Sequence, residues 1–221
     1  MLKGVIFDVD GTLLDSNDAH AISWVEAFAE AGYDVPFDVV RPLIGMGADK
    51  LLPKTIGISH DSDEGKKLVA RHSEIFEERH LPRLRPFEGA RDLVQRIRSD
   101  DLKALVATSA RDEQLTELLK AAHVDDLIEE RATASDAKRS KPDPDIVQAA
   151  IEESGISPKH LVMIGDTPYD IEAAAKAGVR TIAFRCGGWT DDKLKGAAEI
   201  YDGPADLLAH YEASLIGREI Q

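Results

Sequence analysis

Residues 5–16 read VIFDVDGTLLDS, an apolar run that ends in acidic residues and a turn. Asp8 and Asp10 close the run two residues apart, and Gly11 follows at once. Side chains two apart on an extended segment point to the same side, so both carboxylates should converge at the carboxyl end of a buried strand. Because like charges at that distance raise each other's pKa, we expect a divalent cation or a shared proton between them.

Two other interpretations of the Asp-x-Asp-Gly pattern need to be considered. The aspartates could simply be solvated residues at a strand end, since Asp is common in loops. The pattern also occurs in calcium-binding EF-hand loops. We exclude the calcium loop because no Glu closes a twelve-residue loop and no helix precedes Asp8.

Length and composition indicate a soluble globular protein. The 221 residues are 43% hydrophobic and 31% charged, enough for one full core or for one core with a smaller lobe. No stretch approaches the roughly 20 apolar residues of a membrane helix. The N-terminus enters a strand without a basic leader, so we expect neither a signal peptide nor a membrane partner.

The net charge and the cysteine content limit the classes of binding partner and the cellular compartments that we expect. The net charge of −14 would repel a nucleic-acid backbone, so a phosphate site must be local, built from a cation, a Lys and backbone amides. Cys186 is the single cysteine, which rules out an internal disulfide and favours the cytoplasm. We expect a structural thiol, because no His base is nearby in the sequence. The expected assembly is a monomer or a homodimer.

From about residue 87 onward the sequence alternates between strand and helix patterns. Alternation of this kind predicts an α/β fold with a doubly wound, Rossmann-like parallel sheet. The helices should cover residues 112–122, with Asp112 as N-cap, and 169–177. The strands should cover residues 103–107, 161–164 and 181–184, with weaker candidates at 127–128 and 199–201.

Residues 16–86 show helical patterns only. Residues 19–31 place apolar side chains on one helical face, and a second long helix should cover residues 63–80. We therefore predict an α/β core of residues 1–15 and 87–221, with an all-helical cap domain of residues 16–86 inserted after the first strand.

Several polar residues follow predicted strands at their carboxyl ends. Open parallel sheets bind ligands at that edge, near the point where strand order reverses. We expect a shared site formed by Asp8, Asp10, Thr108 and Asp166.

In their order and setting, four motifs resemble those of the haloacid dehalogenase superfamily. The motifs are DVDGT at residues 8–12, Thr108, Lys141-Pro142, and Gly165-Asp166 with Asp170 four residues later. The resemblance extends over nearly the whole chain and includes the helical cap. It points to the branch that contains phosphoglycolate phosphatase and β-phosphoglucomutase.

The resemblance implies specific roles for the acidic residues. Asp8 would be the nucleophile that forms an aspartyl-phosphate, and Asp10 the general acid and base. Asp8, Asp166 and the backbone carbonyl of Asp10 would bind Mg²⁺. Asp170 would act behind these ligands or through a water, although direct contact with the metal is also open. An Asp at position 10 favours phosphorus chemistry over dehalogenation.

The resemblance also implies a phosphate site. Thr108 would hydrogen-bond the transferring phosphoryl group, and Ser109 stands where an Asn is frequent. Lys141 would neutralise Asp8 and the phosphate together. Asp143 can cap a helix that has Pro144 at its first position, and this would anchor the lysine.

The cap should select the substrate by closing over the site. Gly45 and Gly47, preceded by Arg41, resemble cap residues of phosphoglycolate phosphatase-like members, whereas mutase-like members carry an Arg at the position of Ala48. The candidates for substrate contact are His20, Arg41, Gly45, Gly47 and Lys50. Packing of His20 in the cap hinge, and simple surface exposure of the two cations, are the alternatives.

We predict a magnesium-dependent phosphatase acting on a small phosphorylated metabolite, either phosphoglycolate-like or a sugar phosphate. A sugar-phosphate mutase of the β-phosphoglucomutase type is the alternative. A receiver domain of a signalling system also surrounds a phosphorylated Asp with acidic residues, magnesium and a Lys. It needs no helical cap, however, and a water-activating Asp10 would defeat a stored signal.

Overall fold

A six-stranded parallel sheet forms the centre of the computed structural model, which describes residues 1–128 and 130–220. The strands lie in the order β3-β2-β1-β4-β5-β6 and every neighbouring pair is parallel. The predicted α/β class with a doubly wound parallel sheet is therefore confirmed. The strands are β1 Gly4–Phe7, β2 Lys103–Ala107, β3 Glu130–Ala132, β4 Leu161–Gly165, β5 Arg180–Phe184 and β6 Glu199–Tyr201.

Strand β1 is central, and the order in which the chain adds strands to the sheet reverses beside it. The chain passes from β1 to β2 and β3 on one side, then returns to β4 on the other side. Phe7 is in register with Val106 of β2 and Ile164 of β4, so these three strands end at the same level. The residues that follow them therefore meet at the switch point, where open parallel sheets bind ligands.

A helical insert, residues 17–80, separates β1 from the remainder of the sheet in the sequence. Helices α1 and α4 pack against each other and, with α3, enclose an apolar cluster that includes Trp24, Phe28 and Leu52. The boundaries predicted for the cap, 16–86, stay a prediction. The helices of the insert are α1 Asn17–Glu30, α2 Phe37–Val40, α3 Ala48–Thr55 and α4 Asp63–Ile75.

The remaining helices cover both faces of the sheet. Alternate residues of β1 serve the two faces: Val5 and Phe7 pack with α5, α6, α10 and α11, while Ile6 packs with α7 and α8. Within residues 1–128 and 130–220, no helix combines the length and the apolar composition needed to cross a membrane. These helices are α5 Ala90–Ser99, α6 Asp112–Ala121, α7 Asp145–Ser154, α8 Pro168–Lys176, α9 Asp191–Leu194, α10 Pro204–Ala209 and α11 Leu215–Ile220.

The second long helix of the insert differs from the prediction of residues 63–80. Helix α4 ends at Ile75, and Phe76–His80 forms a π-helical turn. Phe76 is completely buried in the cluster beneath the sheet, so the wider turn lies where the chain leaves the insert and reaches the core.

Two local predictions in the core are wrong. Residues 127–128 form no strand, since Leu127 donates its backbone N–H to the Val124 carbonyl in a turn, and β3 is Glu130–Ala132, with Glu130 in register with Leu105. Asp112 is not an N-cap: Arg111 has the extended backbone of the cap position, and Asp112 is the first helical residue.

Candidate active site

Three buried carboxylates meet where β1 and β4 end. Asp8 follows β1, Asp166 follows β4, and Asp170 lies in the first turn of α8. Each of the three offers a carboxylate oxygen within 4.8 Å of the others, and all three residues are buried. Because β1 and β4 are neighbours in the sheet, the fold places these three carboxylates close together.

Lys141 supplies the opposite charge. Its Nζ lies 2.5 Å from Asp8 Oδ1 and 2.7 Å from Asp170 Oδ1, and its side chain is almost completely buried. Burial lowers the pKa of the ammonium, but the carboxylates of Asp170 and Asp8 outweigh it and raise that pKa above the ordinary value. Burial raises the pKa of Asp8 well above its ordinary value, and Lys141 offsets part of this. One ammonium thus faces three carboxylates.

Asp166 is held by two side chains that the sequence reasoning did not single out as site residues. The Thr12 hydroxyl donates to its Oδ1 at 3.0 Å, and Asn17 Nδ2 donates to its Oδ2 at 2.8 Å. Burial and the neighbouring Asp170 raise the pKa of Asp166 to about 7, although both hydrogen bonds act against the shift. The position of Thr12 in the DVDGT motif could have indicated its role in the site. No sequence pattern around Asn17 indicates such a role.

Asp10 has different surroundings from Asp8. Its Oδ1 accepts a 2.5 Å hydrogen bond from the Ser16 hydroxyl and lies 3.0 Å from His20 Nε2. Burial would raise the pKa of Asp10, but His20 and Ser16 outweigh burial and lower it. In this arrangement Asp10 is ionised and able to accept a proton.

His20 is itself fixed by its neighbours in the insert. Its ring stacks on Phe76 with centroids 3.8 Å apart, and its Nδ1 lies 3.4 Å from His72 Nε2. Burial lowers the pKa of His72 well below the ordinary value, so that ring is neutral. Since the ionised Asp10 carboxylate can only accept, the hydrogen bond between the two residues is donated by His20 Nε2–H to Asp10 Oδ1. His20 therefore touches a predicted catalytic group as well as packing in the hinge.

The three carboxylates fit a hard divalent cation such as Mg²⁺. Oxygen ligands suit that ion, and three buried carboxylates beside one ammonium leave an excess of negative charge. The predicted set was Asp8, Asp166 and the backbone carbonyl of Asp10, with Asp170 behind it. The side chain of Asp170 instead belongs to the same group of oxygens as Asp8 and Asp166, whereas that of Asp10 is directed to Ser16 and His20. The metal roles stay predictions.

The predicted phosphate residues Thr108 and Ser109 follow β2, beside β1. Thr108 is buried, and its hydroxyl accepts from the Ala110 backbone N–H at 3.2 Å. The Ser109 hydroxyl is buried and has no hydrogen-bond partner among the described residues. A buried polar group without a partner is costly, so a ligand that accepts from Ser109 would stabilise this loop.

Two adjoining cavities open beside these residues. The smaller one, about 120 Å³, is lined by Asp8, Asp10 and His20. The larger chamber, about 390 Å³, extends between the insert and the core and carries the cations Lys66, Arg111 and Lys138. Both cavities include Gly47, Thr108, Ser109 and Arg111 in their walls.

The sequence model of the haloacid dehalogenase-like hydrolases matches residues 5–184. The chain belongs to this family. It is 30% identical to the N-acetylmuramic acid 6-phosphate phosphatase of Pseudomonas aeruginosa, an alignment covering 97% of this chain and 90% of that protein. It is 29% identical to the phosphoglycolate phosphatase of Caulobacter vibrioides, covering 93% and 86%. A hydrolase structure from Pseudomonas syringae superposes with a TM-score of 0.88 at 29% identity, covering 96% and 98%.

These similarities confirm the predicted family and its phosphoglycolate phosphatase-like branch. The predicted enzyme class, a phosphoric monoester hydrolase, is confirmed by the family match and by relatives named as phosphatases.

In this haloacid dehalogenase-like chain, two predicted substrate residues of the insert contact protein. Arg41 donates from Nη2 to the Gly187 carbonyl at 2.7 Å and pairs with Asp18 at 2.5 Å. Lys50 Nζ lies 2.7 Å from Asp143 Oδ2. Both cations therefore join the insert to other parts of the molecule, and neither is a free surface charge.

The interpretation of Asp143 as a helix cap is wrong. Helix α7 begins at Asp145, one residue later than predicted, and Pro144 occupies the N-cap position. The Asp143 carboxylate is engaged by Lys50 instead.

The surroundings of Cys186 agree with the predicted structural thiol. Its Sγ donates to the Gly11 carbonyl at 3.4 Å, and burial raises its pKa to about 12. A thiol this weakly acidic supplies no thiolate nucleophile near neutral pH.

Proposed function

We propose that this chain is a magnesium-dependent phosphatase that hydrolyses a small phosphorylated metabolite through an aspartyl-phosphate on Asp8. The observation that carries the proposal is the Asp8 carboxylate, buried at the switch point and 2.5 Å from the Lys141 ammonium. A nucleophile that meets an anionic phosphate needs such a cation, because two negative charges otherwise repel.

Asp8 is the proposed nucleophile. Its attack on phosphorus forms an aspartyl-phosphate and releases the leaving alcohol, so that one difficult hydrolysis becomes two easier steps. Lys141 balances the charge of Asp8 and of the arriving phosphoryl group. Thr108 and Ser109 would hold the phosphoryl oxygens, and the Ser109 hydroxyl is free to donate a hydrogen bond to them.

Asp10 is the proposed proton-transfer group. It would protonate the leaving oxygen and then remove a proton from the water that attacks the aspartyl-phosphate. The lowered pKa of Asp10 suits the second role directly, because an ionised carboxylate is ready to accept a proton. For the first role Asp10 must take up a proton before the leaving group departs, and His20 Nε2 at 3.0 Å holds the Asp10 carboxyl in place for that transfer.

Asp8, Asp166 and Asp170 would hold the Mg²⁺, with the Asp10 carbonyl as a further predicted ligand. When bound, the ion stabilises the negative charge that develops on the phosphoryl oxygens. Thr12 and Asn17 keep the Asp166 carboxylate in position.

The larger chamber supports a polar leaving group of about the size of a sugar. Its volume of about 390 Å³ lies within the range of roughly 300–1,000 Å³ that is usual for small-molecule sites. Phosphoglycolate-like compounds and sugar phosphates both remain within the proposal. A cytoplasmic location and a monomeric or homodimeric state stay predictions.

The test is a phosphate-release assay in Mg²⁺ with phosphoglycolate, hexose phosphates and N-acetylmuramic acid 6-phosphate as candidate substrates. We expect turnover with at least one compound, and no turnover by the Asp8→Asn variant, which keeps the side-chain volume but has no nucleophilic carboxylate. Circular dichroism checks that the variant is folded. Activity retained by this variant would overturn the mechanism.

Two further measurements, product analysis with a sugar monophosphate and phosphoryl uptake from an acyl phosphate, separate the alternatives. A sugar-phosphate mutase would isomerise a sugar monophosphate without releasing inorganic phosphate. A receiver-type domain would take up one equivalent of phosphoryl group from an acyl phosphate and hold it. Repeated turnover with phosphate release contradicts both.

A further inference from the structure

The helical insert contacts the loop that carries Lys141. This loop, residues 139–143, faces the start of α3. Asp49 accepts hydrogen bonds from the Ser140 backbone N–H at 3.2 Å and from the Ser140 hydroxyl. Lys50, the next residue of the insert, donates to Asp143 Oδ2 at 2.7 Å. Adjacent residues of the insert thus bind the loop on both sides of Lys141.

The approach of the two segments is close enough to require a glycine. A Cβ placed on Gly47 would lie 2.6 Å from the Ser140 Cβ and 2.9 Å from an oxygen of Asp49. Such distances do not occur between real side chains without a shift, so Gly47 allows the insert to reach the loop.

The binding groups of Asp49 and Lys50 are already engaged by protein. Both carboxylate oxygens of Asp49 accept from Ser140, and Lys50 is paired with Asp143. Lys50 and Asp143 have side chains only 28% and 20% exposed, so their pairing is less screened than one at the surface. These contacts act on the loop rather than on a ligand in the chamber.

We propose that Asp49 and Lys50 are positioning residues that clamp the 139–143 loop and hold the Lys141 ammonium against Asp8 when the insert is docked. The proposal rests on the proposed function, in which Lys141 balances the charge of Asp8 and phosphate. Docking of the insert then completes the phosphate site as well as covering it. Lys141 is the residue whose position depends on the clamp, because it lies between the two clamped residues.

Kinetics of Lys50→Met, Asp143→Asn and the double variant test the clamp. Loss of positioning should lower kcat by about 10- to 100-fold, by the same factor for p-nitrophenyl phosphate and for a sugar phosphate. The double variant should be no slower than the slower single variant, because both changes remove one interaction. Lys54→Met, at an exposed lysine one turn later in α3, is the matched control and should keep full activity.

A second measurement does not depend on turnover. Acetylation of lysines, followed by peptide mass spectrometry, reports the accessibility of Lys141, which is 1% exposed in the clamped structure. Lys50→Met should raise the labelling rate of Lys141 relative to Lys195, an exposed internal reference, and Lys54→Met should not.

The outcomes separate the clamp from the proposed function. A change confined to KM, or one that differs between the two substrates, would make Lys50 a substrate contact and overturn the clamp. Unchanged kcat together with unchanged labelling of Lys141 would also overturn it. If the unsubstituted protein releases no phosphate, the proposed phosphatase fails, while the labelling result still decides the clamp.

Discussion

Asp8 and Asp10 leave the same strand two residues apart, yet they have different partners. Asp8 faces Lys141 at 2.5 Å, and burial raises its pKa. Asp10 faces His20 and Ser16, which together lower its pKa. Neighbouring carboxylates whose pKa values are moved in opposite directions are suited to different chemical roles. At the scale of single residues, this difference supports one nucleophile and one proton-transfer group.

Asp10→Asn should leave the nucleophile in place while removing proton transfer. The amide neither donates the proton that the leaving oxygen needs nor accepts one from water, so we expect turnover to fall by about 10²- to 10⁴-fold. Phosphorylated Asp8 should accumulate, visible as an increase in intact mass after an acid quench. Asp8→Asn is the control, because it can form no acyl phosphate. A variant with normal turnover and no trapped species would contradict this role for Asp10.

The raised pKa of Asp166 predicts a pH effect on stability in the absence of divalent metal. Its pKa is about 7 in the folded protein against about 3.9 in an unfolded chain, so the folded state binds the extra proton between these values. The stability from this group is complete below about pH 4 and is lost as the pH rises to 7, on the order of 1 kcal/mol per pH unit.

Urea unfolding in EDTA, compared between the protein and Asp166→Asn, measures this contribution. The free energy of unfolding of the protein, relative to the variant, should fall as the pH rises from 4 to 7. Added Mg²⁺ should stabilise the unsubstituted protein more at pH 8 than at pH 6, because at pH 6 the ion must displace a proton. Parallel pH profiles for the two proteins would contradict the assignment.

At the scale of elements, one turn of the insert contacts two loops of the core. Gly45 has a φ of +102°, and a Cβ there would lie 2.7 Å from Thr167 Cγ2, beside Asp166. Gly47 makes the corresponding approach to Ser140, beside Lys141. The two glycines, predicted as substrate residues, therefore also let the insert contact the loops of both charged groups.

Gly47→Ala should disturb this contact while leaving the backbone of the turn unstrained. Gly47 has a φ of −77°, so the added methyl group acts through its clash with Ser140. We expect kcat to fall about tenfold or more because the 139–143 loop is displaced. Gly203→Ala is the matched control: it has an extended φ of 173°, and its Cβ would meet Cys186 at an ordinary 3.6 Å. Equal kinetics for the two variants would contradict the expectation.

At the scale of the molecule, the insert has an apolar cluster separate from those of the sheet. Leu52 is completely buried in the insert cluster, near Trp24. Leu52→Ala should lower the free energy of unfolding by about 2–5 kcal/mol through lost burial and a residual cavity. Val39→Ala, at a position 47% exposed, should change it by less than about 0.5 kcal/mol. Urea unfolding followed by circular dichroism measures both, and similar midpoints for the two variants would contradict the burial of Leu52 in the insert cluster.

The parallel sheet and the acidic site followed from local patterns in the chain. Strand β2 was predicted with its observed ends, because an apolar run bounded by polar residues is a local signal. Asp8 and Asp166 were placed together because both follow strands, and strand ends in a parallel sheet share one edge. Family resemblance added Lys141, whose position far along the chain gives no local hint of Asp8.

The contacts between the insert and the core depend on how distant segments pack. Nothing in the sequence around Asn17 indicates a hydrogen bond to Asp166, 149 residues away. Likewise, the sequence indicated Lys50 and Arg41 as substrate contacts or as surface charges, whereas their partners Asp143 and Gly187 are brought near by docking of the insert. Periodicity and spacing specify which face of a helix or strand is buried, because both patterns depend only on residues that are close in the sequence. Contacts between side chains that are distant in the sequence depend on how whole helices and strands are placed relative to each other, which is determined only in the folded structure.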